Sequence, residues 1–191
     1  MLNIVKSYIR GLIILLESIH IFVFSNNPKR SSKENIIIEG GLYNKGDQAM
    51  VFTAINEIKK RFPDKKIYLF STRLFEKEKG KNTYKFDILP WDFNIKLSLL
   101  GQISGSLRKN KQHDYLKNKI KKVVENSAFF IDISGYKLSS QFLPYFSLDY
   151  LLNIVIARKY LVSYYILLTK LRYPHMPYLI QLTNYYILKF S

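Results

Sequence analysis

Residues Asn35–Phe70 read NIIIEGGLYNKGDQAMVFTAINEIKKRFPDKKIYLF, and this stretch decides the fold. Asn35–Ile38 is a short, continuous, β-branched apolar run, the mark of a strand buried on both faces of a parallel sheet. The glycine-containing turn Glu39–Asp47 follows it directly. Val51, Ile55, Ile58 and Phe62 then step by four, three and four, which lays one apolar stripe along a helix and leaves Asn56, Glu57, Lys60 and Arg61 to water. Asp47 is expected to cap that helix, Gly46 to supply a positive φ just before the cap, and Pro63-Asp64 to stop the helix. Lys66–Phe70 is a second strand. Strand, glycine turn, helix and strand in about 35 residues make a βαβ unit with a right-handed crossover.

Working outward, Asp87–Trp91 reads as a third strand ended by Pro90, and Ala128–Ile133 (AFFIDI) as another buried strand. A long apolar helix is expected over about Tyr145–Leu168. Alternating strands and helices predict an α/β, Rossmann-like doubly wound parallel sheet. Ser106–Lys122 carries seven Lys or Arg against one acid, with Leu116, Ile120 and Val123 at helical spacing. This segment reads as a helix with a solvated basic face, the alternative being a patch that contacts anions or lipid. The domain organisation expected is an N-terminal amphipathic helix and linker (1–34), the Rossmann-like domain (35–160) and a divergent C-terminal segment (161–191).

Composition narrows the chemistry. The 191 residues hold 30 Lys and Arg against 14 Asp and Glu, a formal net charge of +16, and no cysteine. Disulfides, thiolate metal sites and cysteine nucleophiles are thereby excluded. His20, His113 and His175 lie far apart, without the spacing of a helical metal site. Ser7–Phe24 is apolar but interrupted by Arg10, Glu17 and His20. Leu151–Leu171 carries Arg158 and Lys159 at its middle, each costing about 2.5–3.5 kcal/mol in a bilayer. Neither reads as membrane-spanning. The basic balance suits an anionic membrane surface, while nucleic acid is not expected because no recognition motif accompanies the charge.

Two places can carry chemistry. Gly40, Gly41, Gly46 and Asp47 lie between a strand's C-terminal end and a helix N-terminus, where open α/β sheets bind ligands. The spacing is neither GxGxxG nor a phosphate loop, so no nucleotide cofactor is indicated, and a plain tight turn remains the competing reading. The second is Asp132-Ile133-Ser134-Gly135-Tyr136, again at a strand end, where Asp132 either faces the same crevice or caps the next turn.

Both places resemble one family. Gly40–Thr72 resembles the opening βαβ unit of polysaccharide pyruvyl transferases, the match falling on Asn44, Gly46, Asp47, Ala49 and Met50. Phe129–Phe142 (FFIDISGYKLSSQF) is similar to that family's Asp-x-Ser/Gly-Gly-Phe/Tyr segment, about 90 residues further on. The resemblance covers roughly residues 35–160. It implies the N-terminal half of a two-Rossmann-domain (GT-B type) transferase that moves the carboxyvinyl unit of phosphoenolpyruvate to a sugar hydroxyl of a cell-surface glycan. Substrates would be phosphoenolpyruvate and a lipid-linked or polymeric sugar, with no cofactor, in the cytoplasm beside the inner face of the membrane. Gly40, Gly41, Asn44, Gly46 and Asp47 would line the cleft, and Asp132, Ser134 and Gly135 its opposite rim, as binding rather than acid–base groups. The family's second domain and its Pro-Gln-Ser-x-Gly-Pro turn have no counterpart here, where Tyr173-Pro174-His175-Met176-Pro177 stands. The chain is therefore expected to be a truncated, inactive relative, the alternative being a non-catalytic binding domain that keeps the fold.

Overall fold

In a computed structural model of the chain, the described residues are 33–78, 83–101, 111–133, 144–168 and 186–190, together with Leu12 and Leu16. They form β1 (Asn35–Glu39), α1 (Lys45–Arg61), β2 (Lys66–Phe70), α2 (Thr72–Glu78), β3 (Asp87–Leu89), α3 (Phe93–Leu100), α4 (Lys111–Glu125), β4 (Ser127–Asp132), α5 (Pro144–Lys159), β5 (Ser163–Leu168) and β6 (Tyr186–Phe190). The strand order is β3-β2-β1-β4-β5-β6. Strands β1 to β5 are all parallel, and β6 runs antiparallel along β5. This is an α/β, Rossmann-like sheet with helices on both faces. Of the expected N-terminal helix only Leu12 and Leu16 are described, both exposed. No helix among the described residues is long and apolar enough to cross a membrane.

The chain walks from β1 outward to β3, then returns to the centre and walks the other way through β4 and β5. Right-handed crossovers consequently place α1 and α2 on one face and α3, α4 and α5 on the other. Each face has its own core. Ile36, Ile38, Ile67 and Leu69 pack with Val51, Ile55 and Ile58 of α1 and Leu74 of α2. Ile37, Phe70, Phe130 and Tyr164 pack with α3, α4 and α5. That β1 is fully buried on both faces explains why its sequence does not alternate. Rings thicken the second core, with Phe70 and Trp91 centred 4.6 Å apart and Phe130 and Tyr164 5.2 Å apart.

Three local expectations change. The helix expected to run to Leu168 ends at Lys159, and the rest of that apolar run is β5. The stop is a Schellman arrangement: the Leu161 N–H donates to Arg158 O (3.1 Å) and the Val162 N–H to Ala157 O (2.8 Å). Leu161 occupies the left-handed position, φ 52°, that glycine normally takes, so the usual signal is missing from the sequence. Lys33 Nζ closes the same end by donating to Tyr160 O and Leu161 O. The cap of α1 is Asn44, not Asp47: its Oδ1 accepts from the Asp47 N–H at 2.8 Å. Gly46 therefore lies within the first turn and has no positive φ; Gly101, just after α3, does.

Glycine at the end of β1 is required by packing. A Cβ on Gly40 would stand 2.7 Å from the Ile133 side chain and 3.3 Å from that of Val51. Gly40→Ala is expected to lower stability by about 1–3 kcal/mol, as overpacking does. Gly46→Ala meets only Asn44 Oδ1, at 3.2 Å, and is expected to change stability by less than about 1 kcal/mol. Urea unfolding of the two variants checks the contrast, and equal losses would refute it.

Candidate functional site

The chain reverses its direction of winding between β1 and β4, with α1 on one face of the sheet and α5 on the other, and the C-terminal ends of strands at such a reversal are where open α/β sheets form a ligand crevice. Gly40 and Asp132 meet at this point, since Glu39 pairs with Asp132 in register and the Ile133 N–H donates to Glu39 O at 3.1 Å. On the α1 side the turn is held by its own side chains. Asn44 Nδ2 donates to Asp47 Oδ2 at 3.0 Å and Gln48 Nε2 to Leu42 O at 3.2 Å. Asn44 thus satisfies one first-turn N–H of α1, and those of Lys45 and Gly46 are left to solvent or an anion. Tyr43, half exposed, shares a hydrogen bond with Ser71 at the end of β2 (3.0 Å), and the Arg73 guanidinium lies over its ring at 5.4 Å. Lys45 and Arg73 are exposed cations of this rim.

Asp132 is not on that rim. Its side chain sits on the α3–α5 face, 1% exposed. Beneath the strand ends it joins a closed polar cluster. Tyr164 OH donates to Asp132 Oδ2 at 3.0 Å. Asn153 Nδ2 donates to Glu39 Oε2 at 2.7 Å, with Asp132 Oδ2 and Tyr164 OH each at 3.4 Å. Trp91 Nε1 completes the amide by donating to Asn153 Oδ1 at 3.1 Å. Lys96 supplies the cation, 2.7 Å from Asp149 Oδ1 and 3.6 Å from Glu39 Oε1, over the Trp91 ring at 5.3 Å. Among the described residues no buried side-chain polar atom lacks a partner.

Electrostatics follows from burial. Desolvation works against the Lys96 ammonium, but Glu39 and Asp149 outweigh it and hold its pKa above the ordinary lysine value. Desolvation, with Asp132 and Glu39 alongside, pushes the Tyr164 phenol well above the usual tyrosine range. Burial raises Tyr160 to about 12. The cluster is thus an acid-rich knot closed by one lysine and three neutral donors, and it fixes α3 and α5 to the centre of the sheet.

The sequence reading brought Gly40, Gly41, Asn44, Gly46 and Asp47 together at one strand end, where the structure places them. It paired them with Asp132, which the structure puts below the crevice. Ser134 and Gly135 lie outside the described residues. It missed Glu39, Lys96, Asn153 and Tyr164. A signal existed for two of them: Lys96 in FNIKLSLL and Asn153 in YLLNIVIA are polar islands in apolar helices. Among the described residues no group of three or more His, Asp or Glu is placed to hold a metal ion.

Lys96→Met removes the cation that pairs with the buried Glu39, and is expected to cost about 3–5 kcal/mol. Glu39→Gln added to it should restore part of that, as measured by urea unfolding; no recovery would contradict the pairing. The raised pKa values also set an alkaline limit. Groups with raised folded-state pKa stabilise fully below their unfolded values, near 10 for Tyr and 10.5 for Lys, and that share is lost as pH climbs through the folded values. Thermal unfolding should be insensitive to these groups below about pH 9.5 and steepen above it, less so in Tyr164→Phe.

Compared with protein-family models, curated proteins and solved structures, the chain matches none of them.

Proposed function

We propose that the chain is the N-terminal Rossmann-like half of a polysaccharide pyruvyl transferase-like protein of GT-B type, and that the crevice at the ends of β1 and β4 takes an anionic substrate. One observation carries this reading. The two stretches resembling that family, about 90 residues apart in the chain, emerge from neighbouring strands on either side of the winding reversal. In the proposed reaction the carboxyvinyl group of phosphoenolpyruvate passes to a sugar hydroxyl and phosphate departs. The open N-terminus of α1, Lys45 and Arg73 are the groups on this rim suited to a carboxylate or phosphate. Gly40 and Gly41 keep the approach to the backbone free of side chains.

A second reading, a binding domain without catalysis, has its own support. Glu39 and Asp132, the carboxylates nearest the reversal, are consumed by Asn153, Tyr164 and Lys96 and are not exposed to a substrate proton. Transfer also requires donor and acceptor to be held in near-attack geometry, worth about 7–11 kcal/mol of barrier. Asp47 is tied to Asn44. The rim therefore serves for binding, and acid–base chemistry must come from elsewhere.

Calorimetric titration with phosphoenolpyruvate and with pyrophosphate-linked sugars tests both readings. One of these ligands is expected to bind, and Arg73→Ala with Lys45→Ala should weaken it about tenfold, the equivalent of 1.4 kcal/mol. Absence of binding, or binding indifferent to both cations, would sink the site. Phosphate release from phosphoenolpyruvate with an acceptor sugar is not expected from this chain alone. Turnover abolished by Asp47→Ala would make it an enzyme and dispose of the second reading.

A further inference from the structure

The opposite end of the sheet has its own concavity. Between the C-terminal end of α1 and the first residues of β2 and the edge strand β3 lies a depression of about 260 Å³. Lys59, Lys65, Lys66 and Lys85 line it, with Tyr84 and Phe86 as an apolar wall. Those two rings stack, 5.2 Å between centroids and 19° between planes. Lys66 and Asp87 open their strands, so this basin is a strand's length, about 17 Å, from the crevice at the strand ends.

We propose that this basin is a binding site for the phosphate or pyrophosphate group of an ester, independent of the reading of the strand-end crevice. The charge is unbalanced: Asp87 is the one carboxylate in the lining, and Lys66 already holds it at 3.0 Å. Lys65 is fixed by donating to Lys33 O at 2.6 Å, which sets its ammonium in place. Among the described residues no carboxylate stands within ion-pair distance of Lys59 or Lys85.

Helix-end electrostatics does not absorb these lysines. Lys59 complements the C-terminal end of α1, as do Lys60 and Arg61, but Lys65, Lys66 and Lys85 lie off the helix. Their convergence is a product of topology, because the connection after α1 and the start of β3 come together only when β3 pairs with β2. The size argues for a small anion. Sites enclosing drug-sized ligands run to about 300–1,000 Å³, so the basin holds a phosphate or pyrophosphate group and leaves the remainder of the ester against Tyr84 or in solvent. Clustered ammonium groups, without the fork of arginine, recognise such a group as charge rather than shape.

The test uses the full chain and two sources of the same chemistry. Inorganic pyrophosphate is titrated at low ionic strength by calorimetry, and vesicles of phosphatidylglycerol or of phosphatidylcholine are sedimented with the protein. Lys59→Gln with Lys85→Gln, both exposed and away from either core, is expected to keep the melting temperature and weaken binding at least tenfold. Pyrophosphate binding lost in that variant identifies a soluble phosphate ligand. Salt-sensitive pelleting with phosphatidylglycerol alone, lost in the same variant, identifies a lipid headgroup. No binding in either arm, or binding that the variant leaves unchanged, overturns the proposal. Lys45→Ala with Arg73→Ala serves as control: if it abolishes pyrophosphate binding while Lys59→Gln with Lys85→Gln does not, the anion belongs to the strand-end crevice and the basin is not a site.

Discussion

The demand that buried charge be neutralised at the centre of the sheet organises much of this molecule. Glu39 and Asp132 stand side by side at the ends of the two central parallel strands, where water is excluded by α3 and α5. Two unpaired carboxylates there would cost several kcal/mol each. Asn153 from α5, Tyr164 from β5, Trp91 after β3 and Lys96 from α3 meet that demand together. Two stretches distant in sequence, Trp91–Lys96 and Asn153–Tyr164, are thereby fixed to one point. Such a knot adds little net stability over an apolar replacement; its physical consequence is that only one docking of α3 and α5 leaves every group satisfied.

Everything around the knot is ordinary close packing, divided between two cores of unequal character. The α1–α2 face is aliphatic at its centre, built on isoleucine and leucine. The other face is aromatic, with Phe70, Trp91, Phe130 and Tyr164 in mutual contact. Rings offer both bulk and polar tips: Tyr164 uses its hydroxyl to reach Asp132, and Trp91 its N–H to hold the Asn153 amide that serves the acids. The polar knot and the aromatic core are therefore one structure, and neither can be altered without disturbing the other.

The two ends of the sheet divide the chemistry. At the C-terminal ends of the strands, glycines, the Asn44-capped start of α1 and the cations Lys45 and Arg73 present a small anion-friendly rim above the closed acid knot. At the N-terminal ends, the last turn of α1 and the entries to β2 and β3 bring lysines together around Tyr84 and Phe86. Parallel strands force this polarity, since every helix start falls at one end and every helix finish at the other. Lysine and arginine gather at helix finishes because the carbonyl ends there favour cations, as Lys59, Lys60 and Arg61 do on α1.

Local pattern alone determined a good deal. The runs NIII, KIYLF and AFFIDI are strands because their residues are mostly β-branched or aromatic and apolar, and α1 is a helix because its apolar stripe has helical spacing. The turn at Gly40–Asp47 was legible as a strand-to-helix junction for the same reason. Two kinds of fact were not. The end of α5 depends on Leu161 accepting a left-handed conformation, which the Lys33 bridge and the pairing of β5 enforce from outside the segment. The roles of Glu39, Lys96, Asn153 and Tyr164 depend on which residues face one another across the sheet, and no local spacing encodes that. Sequence decides what each segment is suited to bury; only the tertiary pairing of β1 with β4 decided that two acids would be buried together, and hence what had to surround them.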